Sequence, residues 1–180
     1  YLGVFLRCKF CNCHLPHKPD MKKLLLLFCL SVFSSIAMSQ VPAVGEVLNG
    51  GIVFFVSEGK DSVLICGKND ANQYCDWLEA KSRSESFFSI KDGQLLRGWR
   101  MPTKEEMAIL RENRDVVNKA LSAFGGQPLE SDVGAYYWTS SEGEHESQAW
   151  LQAFGFTHQT LSNKTSNSFH ARAVQLVIVE

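Results

Sequence analysis

Ser140, Ser141, Glu142 and His145 sit almost side by side in the segment YYWTSSEGEH, and they are the side-chain types of acyl transfer. A nucleophilic serine needs a base within hydrogen-bond reach, a third group to orient that base, and an oxyanion hole. Neither serine stands in a Gly-x-Ser-x-Gly elbow, and Ser and Glu this close together are ordinary turn and cap residues. His145, His158 and His170, with Glu142, Glu144 and Glu146, bring imidazole and carboxylate groups, yet their spacing matches no compact motif such as His-Glu-x-x-His. They read as scattered, solvated side chains. Cys8, Cys11, Cys13 and His14 have a zinc-like density, but four ligands packed this closely would strain to enclose one tetrahedral ion. The sequence therefore predicts no catalytic, cofactor-binding or metal-ligating residue.

Recognition chemistry is better represented. Tyr136, Tyr137, Trp138 and Trp150 offer large rigid rings for ligand stacking, and equally for a core. Strand alternation turns Tyr137 away from Tyr136 and Trp138, so one face of the set is expected inside and part of it outside. The segment FGFTHQTLSNKTSNSFH is polar, rich in short side chains and flanked by strands, the setting in which binding residues concentrate. The predicted ligand-binding set is accordingly Tyr137, Trp138, Trp150, Phe156, His158, Gln159, Asn163 and Asn167; an unpartnered surface loop is the alternative for its second half. Asn163-Lys164-Thr165 has the form of a glycosylation acceptor, which matters only in a host that uses it.

Elements must hold these residues in place. GGIVFFVSEGKDSVLICG reads as a hairpin turning at EGKD. Residues 70–80 are expected to form a short helix carrying Tyr74, Trp77 and Leu78. Residues 81–97 should be an irregular loop with Phe87 and Phe88 tucked beneath it. In WRMPTKEEM, Thr103 and Glu106 have capping-box spacing. Met107, Leu110, Val117, Leu121 and Phe124 then share one face of a long helix that Gly125-Gly126 stops. Trp99, Arg100 and Pro102 are structural on this reading: Trp99 anchors the helix, Pro102 fixes its entry angle and Arg100 can pair with a buried carboxylate. Strands are expected at 136–139 and 149–156. A polar loop follows, and then a strand over 171–179, apolar enough to be buried on both faces. The first and last strands are expected to pair in one sheet.

The chain divides into three parts. Lys22 and Lys23 after Met21, the apolar run LLLLFCLSVFSSIAM and an Ala37-Met38-Ser39 box form a secretory signal peptide over 21–39. That run is short of the roughly 20 apolar residues a membrane span needs. Residues 1–20 have no clear role in export and are read as an over-extended upstream segment. Cleavage would leave a single domain, residues 40–180, with no transmembrane segment. Cys29 lies too early, inside the apolar run, to act as a lipobox cysteine.

The expected destination is outside the cytoplasm: secreted, periplasmic or on the outer surface. The 40–180 segment holds 13 Lys plus Arg against 18 Asp plus Glu, a formal charge of about -5 that argues against nucleic acid and against strongly sulfated ligands. Cys66 and Cys75 are its two cysteines; export permits a disulfide between them, and two buried thiols are the alternative.

Four motifs occur in order: GGIVFF at 50–55, WRMPTKEE at 99–106, YWTSSE at 137–142 and RAV at 172–174. Together they resemble the C-terminal domain family of the Legionella collagen-like adhesin, found in exported and surface proteins of Bacteroidetes. The resemblance spans nearly the whole 40–180 segment. It implies an α+β, C-type-lectin-like fold: terminal strands in one sheet, one or two flanking helices, and a small second sheet with long loops. It also implies a structural role for Arg172 and a non-catalytic role in recognition or adhesion, with a glycan or protein ligand. No collagen-like Gly-x-y stalk is present, nor the Glu-Pro-Asn, Gln-Pro-Asp or Trp-Asn-Asp signatures of calcium-dependent sugar binding. Two alternatives remain on the same scaffold. One is a structural subunit of a surface assembly. The other is an enzyme like the formylglycine-generating oxidases, whose late cysteine pair this chain lacks.

Overall fold

The computed structural model describes residues 41–179 apart from Ser131 and Val133. The upstream segment, the signal peptide and the Cys8–His14 cluster lie outside the described residues. The first sheet consists of β1 (Val47–Leu48), β2 (Gly51–Val56), β3 (Ser62–Gly67) and β11 (Val174–Ile178), in the order β1-β2-β3-β11. The first and last strands thus share one sheet, as expected, but β11 pairs with β3, through Val174↔Cys66 to Ile178↔Ser62. The second sheet is larger: β4 (Asn72–Cys75), β10 (Phe169–Ala171), β7 (Tyr136–Glu142), β8 (Gln148–Ala153) and β9 (Gln159–Asn163). A separate hairpin joins β5 (Ser89–Lys91) to β6 (Gln94–Leu96). Helices α1 (Trp77–Ser86), α2 (Lys104–Glu112) and α3 (Arg114–Ala123) flank the sheets. This is an α+β, lectin-like architecture.

Alternation along β2 separates two apolar layers. Ile52 and Phe54 face Met107, Leu110, Val117 and Leu121 of α2 and α3, and Tyr137 and Phe154 reach the same layer from the second sheet. Val53 faces the other way, with Val63, Ile65, Trp99 and Ala173. A third layer lies beneath α1, where Trp77 and Ala80 meet Met101, Trp138, Leu151 and Ala171. The adjacent glycines where β2 begins, Gly50 in the turn and Gly51 in the strand, divide their work. Asn49 and Gly50 take φ of 50° and 78° in the two-residue turn from β1. Gly51 instead has no room for a side chain: an added Cβ would lie 2.6 Å from the Cys66 carbonyl oxygen and 2.8 Å from the Trp99 ring.

Several expectations are corrected. The long helix breaks at Asn113, which leaves helical geometry at φ -93° and ψ 9° and whose side-chain amide joins its own backbone N–H on the Ile109 carbonyl, each at 3.1 Å. The inward face survives the break, but Phe124 ends 37% exposed. Residues 72–75 form a strand because β10 recruits them. The helix starts only after Asp76, whose carboxylate accepts the Glu79 N–H at 2.8 Å, and it runs on to Ser86. The expected loop contains the β5–β6 hairpin, turned by Asp92-Gly93 with φ of 51° and 78°. Phe87 packs edge-on against Trp99 as expected, whereas Phe88 is 50% exposed. The apolar run from 171 splits at Arg172, where the chain leaves one sheet for the other. Only residues 171–174 are fully enclosed, and Leu176 and Ile178 face outward.

Cys66 and Cys75 are free. They belong to different sheets and different apolar layers, so the disulfide is not formed and the buried-thiol alternative holds. Burial pushes each thiol up to about 11, which keeps both protonated and unreactive at neutral pH. Among the described residues, no helix is long and apolar enough to cross a membrane.

Candidate functional site

The two motifs around α2 and β7 are joined through the start of α2. Thr103 accepts the Glu106 N–H at 3.2 Å, and Glu106 accepts the Thr103 N–H at 2.8 Å, completing the capping box. Glu106 also receives both guanidinium N–H groups of Arg100, at 2.7 and 2.6 Å. Burial pushes the Glu106 carboxyl up, but the Arg100 and Thr103 hydrogen bonds and the Arg100 charge outweigh it and leave it below the ordinary range. Ser141 of β7 accepts the Lys104 N–H at 3.0 Å, and Ser140 donates its backbone N–H to the Pro102 carbonyl at 2.7 Å. The serine that resembled a nucleophile therefore satisfies a helix N-terminus.

The imidazoles stand apart, each with its own partner. His145 Nδ1 lies 2.9 Å from Ser147 Oγ, and His158 Nε2 lies 3.2 Å from the Tyr136 hydroxyl. His170 is buried, 3.3 Å from Asp70 and 3.5 Å from Glu130. Among the described residues, no group of three or more His, Cys, Asp or Glu side chains is placed to hold a metal ion.

His170 belongs to a buried polar node whose centre is Arg172, with no exposed surface. The Arg172 guanidinium donates to Asp70 at 2.7 Å, to the Gly67 carbonyl at 2.9 Å and to the Gln127 carbonyl at 3.0 Å. Gln127 bonds Asp70 in turn at 3.3 Å. The node ties β3, the segment after α3 and the crossover between the sheets. The family resemblance pointed to Arg172; His170, read from the sequence as solvated, is buried instead, and Asp70 and Gln127 were missed because these residues are distant in the chain and share no spacing rule.

The predicted ligand-binding set is divided by the fold. Tyr137 and Trp138 are both fully buried, a correction to their assignment as ligand contacts. Tyr137 packs on Phe154 with ring centroids 4.9 Å apart, and its hydroxyl accepts the Glu130 N–H at 3.0 Å. Trp138 donates to the Cys75 carbonyl at 2.9 Å and meets Phe169 edge-on. Both faces of β7 are covered here, one by the helices and the other by α1, so alternation exposes neither ring.

Trp150 remains half-buried and opens onto a cleft of about 930 Å³, bounded by Glu142, Glu144, His145, Gln148 and Leu161. The Lys104 ammonium stands 3.4 Å from the centre of its ring, a close cation–π contact. Gln159 is beside this face and donates to the Lys104 carbonyl at 2.8 Å. Pairing of β9 with β8 sets Leu161 opposite Trp150 and Asn163 opposite Gln148. Lys164 pairs with Glu142 and lies 4.5 Å from the Trp77 ring centre.

Asn163 is engaged in its own turn, accepting from the Thr165 N–H and hydroxyl, and Asn167 is exposed beyond it. Phe156 and His158 stack on each other at the opposite end of β9, both exposed. Lys104, Gln148 and Leu161 escaped the sequence reading of the site, because the expected loop concealed β9 and its register.

The described arrangement thus presents an aromatic ring, amides and mixed charges around an open cleft over a rigid sheet. The family model described as the Lcl C-terminal domain matches residues 58–175. The chain belongs to this family. The Lcl C-terminal domain match begins in the turn after β2 and ends in β11, so it includes the α2 entry, β7, the Trp150 cleft and the Arg172 node. No curated protein matches the chain. The two cysteines of this Lcl C-terminal domain are buried in separate sheets and cannot act as the reactive pair of an oxidase.

Proposed function

We propose that this protein is a non-catalytic, exported recognition or adhesion domain whose ligand docks at the Trp150 cleft. The observation that carries the reading is the half-buried Trp150 ring, fixed by Lys104 and set among Gln148, His145, Glu144 and Glu142. An aromatic platform ringed by amides and carboxylates suits a ligand with apolar C–H faces and many hydroxyls. The Glu142 and Glu144 carboxylates oppose a polyanion, as does the acidic balance of residues 40–180. A neutral glycan is therefore the preferred ligand class, ahead of a protein surface. Phe156, His158 and Asn167 are exposed at the two ends of β9 and would extend the contact only for a ligand larger than the cleft.

A glycan and matrix-protein binding screen on the purified protein, run with and without calcium, tests this. A saturable neutral-glycan signal that is indifferent to chelator and at least tenfold weaker in Trp150→Ala is the expected result. The variant's far-ultraviolet spectrum should remain native. A glycan signal that survives intact in Trp150→Ala would move the site elsewhere.

A further inference from the structure

A second concavity lies between the end of β3, the last turn of α1, the start of the β5–β6 hairpin and the end of α3. It encloses about 530 Å³, within the range of roughly 300–1,000 Å³ that ligand sites occupy. Its side chains combine two chemistries. Phe87, Phe88, Ile90 and Phe124 make an apolar wall, and Lys68 and Arg83 supply two cations, with no carboxylate lining it among the described residues. In a segment carrying 18 acidic against 13 basic residues, two cations on one apolar wall run against the background charge. Lys68 rests 4.8 Å from the Phe124 ring centre. Arg83 touches Glu79 only at 3.7 Å, with 61% of its side chain exposed, a surface pair that holds it weakly. Both cations remain available to an anion.

The apolar surface continues beyond the pocket. Ile90 and Leu95 are direct cross-strand partners on the hairpin, and with Phe88 they are 62%, 53% and 50% exposed. Phe88 and Ile90 at the edge of the pocket and Leu95 beyond it set exposed apolar side chains in succession, which fits an extended chain better than a compact solute.

We propose that this pocket binds the C-terminus of an apolar peptide. The terminal carboxylate pairs with Lys68 and Arg83, the last side chain lies among Phe87, Phe88 and Phe124, and the preceding residues cross Ile90 and Leu95. The site is separate from the Trp150 cleft and does not depend on how that cleft is used. Because α1 and α3 both end here, with the negative ends of their dipoles opposing an anion, the carboxylate depends on the two cationic side chains and not on helix backbone.

Calorimetric titration of the full chain with acetyl-Ala-Ile-Phe tests this, compared with the same peptide amidated at its C-terminus and with 3-phenylpropionate. The free acid should bind at least tenfold more tightly than the amide, and raised salt should weaken the acid alone. Lys68→Met and, separately, Arg83→Met should each reduce the acid's affinity several-fold and shrink its advantage over the amide. Equal binding of acid and amide, binding of neither, or an undiminished advantage in both variants would overturn the site. Phenylpropionate binding as tightly as the peptide would overturn the peptide assignment in favour of a small apolar carboxylate.

Discussion

Arg172 is the side chain on which the second half of the fold depends most directly. It is fully buried, and its guanidinium answers Asp70 and two carbonyls at once. Removing it strands the Asp70 carboxylate away from water, and breaking a buried pair in this way costs about 3–5 kcal/mol. Arg172→Met should therefore lower the urea midpoint sharply, and Asp70→Asn in the same background should recover part of the loss. Glu106 provides a pH-dependent test. Its carboxyl lies below its ordinary 4.5 in the folded protein, so its contribution is fully present above that value and is lost as pH falls through the lowered folded value. Glu106→Gln keeps the cap geometry but not the charge. It should cost about 1 kcal/mol at pH 7, a modest figure because Arg100 is 40% exposed. The gap between variant and wild type should close as pH falls below 4.5, and a gap unchanged down to pH 3 would show that the Arg100 pair contributes nothing through its charge.

Elements in this protein are fixed by their ends. α1 and α2 each begin on a side-chain cap, while α3 follows directly from the break at Asn113 and has no side-chain cap bond. The β2 and β6 turns each contain a glycine at positive φ, but Gly51 beside them is constrained by packing alone. Gly51→Ala would drive a methyl into the Cys66 carbonyl and the Trp99 ring and should cost about 1–3 kcal/mol. Gly93→Ala meets nothing within 4 Å, so it bears only the strain of φ 78°, about 1 kcal/mol. Chemical denaturation of the two variants should rank them in that order. The α2 cap and the hairpin strand β2 were legible in the sequence because their signals are local. The β5–β6 hairpin carried an equally local Asp-Gly signal that the polar, serine-rich composition around it masked. Strand β9 carried none, since its polar residues become a strand only when β8 offers an edge.

At the scale of the molecule, three apolar layers are linked by chain crossings and by the Arg172 node, with no covalent staple among the described residues. Dithiothreitol should consequently leave the melting temperature unchanged. Mass mapping after unfolding without reductant should find Cys66 and Cys75 both alkylated, whereas the native protein should protect both. A shift of several degrees on reduction, or a peptide pair linked through these two residues, would show that the layers are held differently. The Lys68 pocket draws on residues from Gly50 to Phe124 and exists only because sheet, helices and hairpin assemble around it, whereas the Trp150 cleft is lined within 142–161 and takes from a distant element only Lys104, over the Trp150 ring.

The sequence by itself determined the hairpin at β2–β3, the capped start of α2, the inward face of α2 and α3, the motif order of the family and the absence of a compact catalytic spacing. All of these follow from short-range backbone chemistry or from helical and strand periodicity. Tertiary structure alone decided that Tyr137 and Trp138 lie inside while Trp150 lies at a cleft. It also decided that Cys66 and Cys75 remain apart, and that Asp70, Gln127 and His170 gather on Arg172. The physical reason is common to these cases: alternation says which residues share a face of a strand, but whether that face meets a helix, another sheet or water is set by what packs against it.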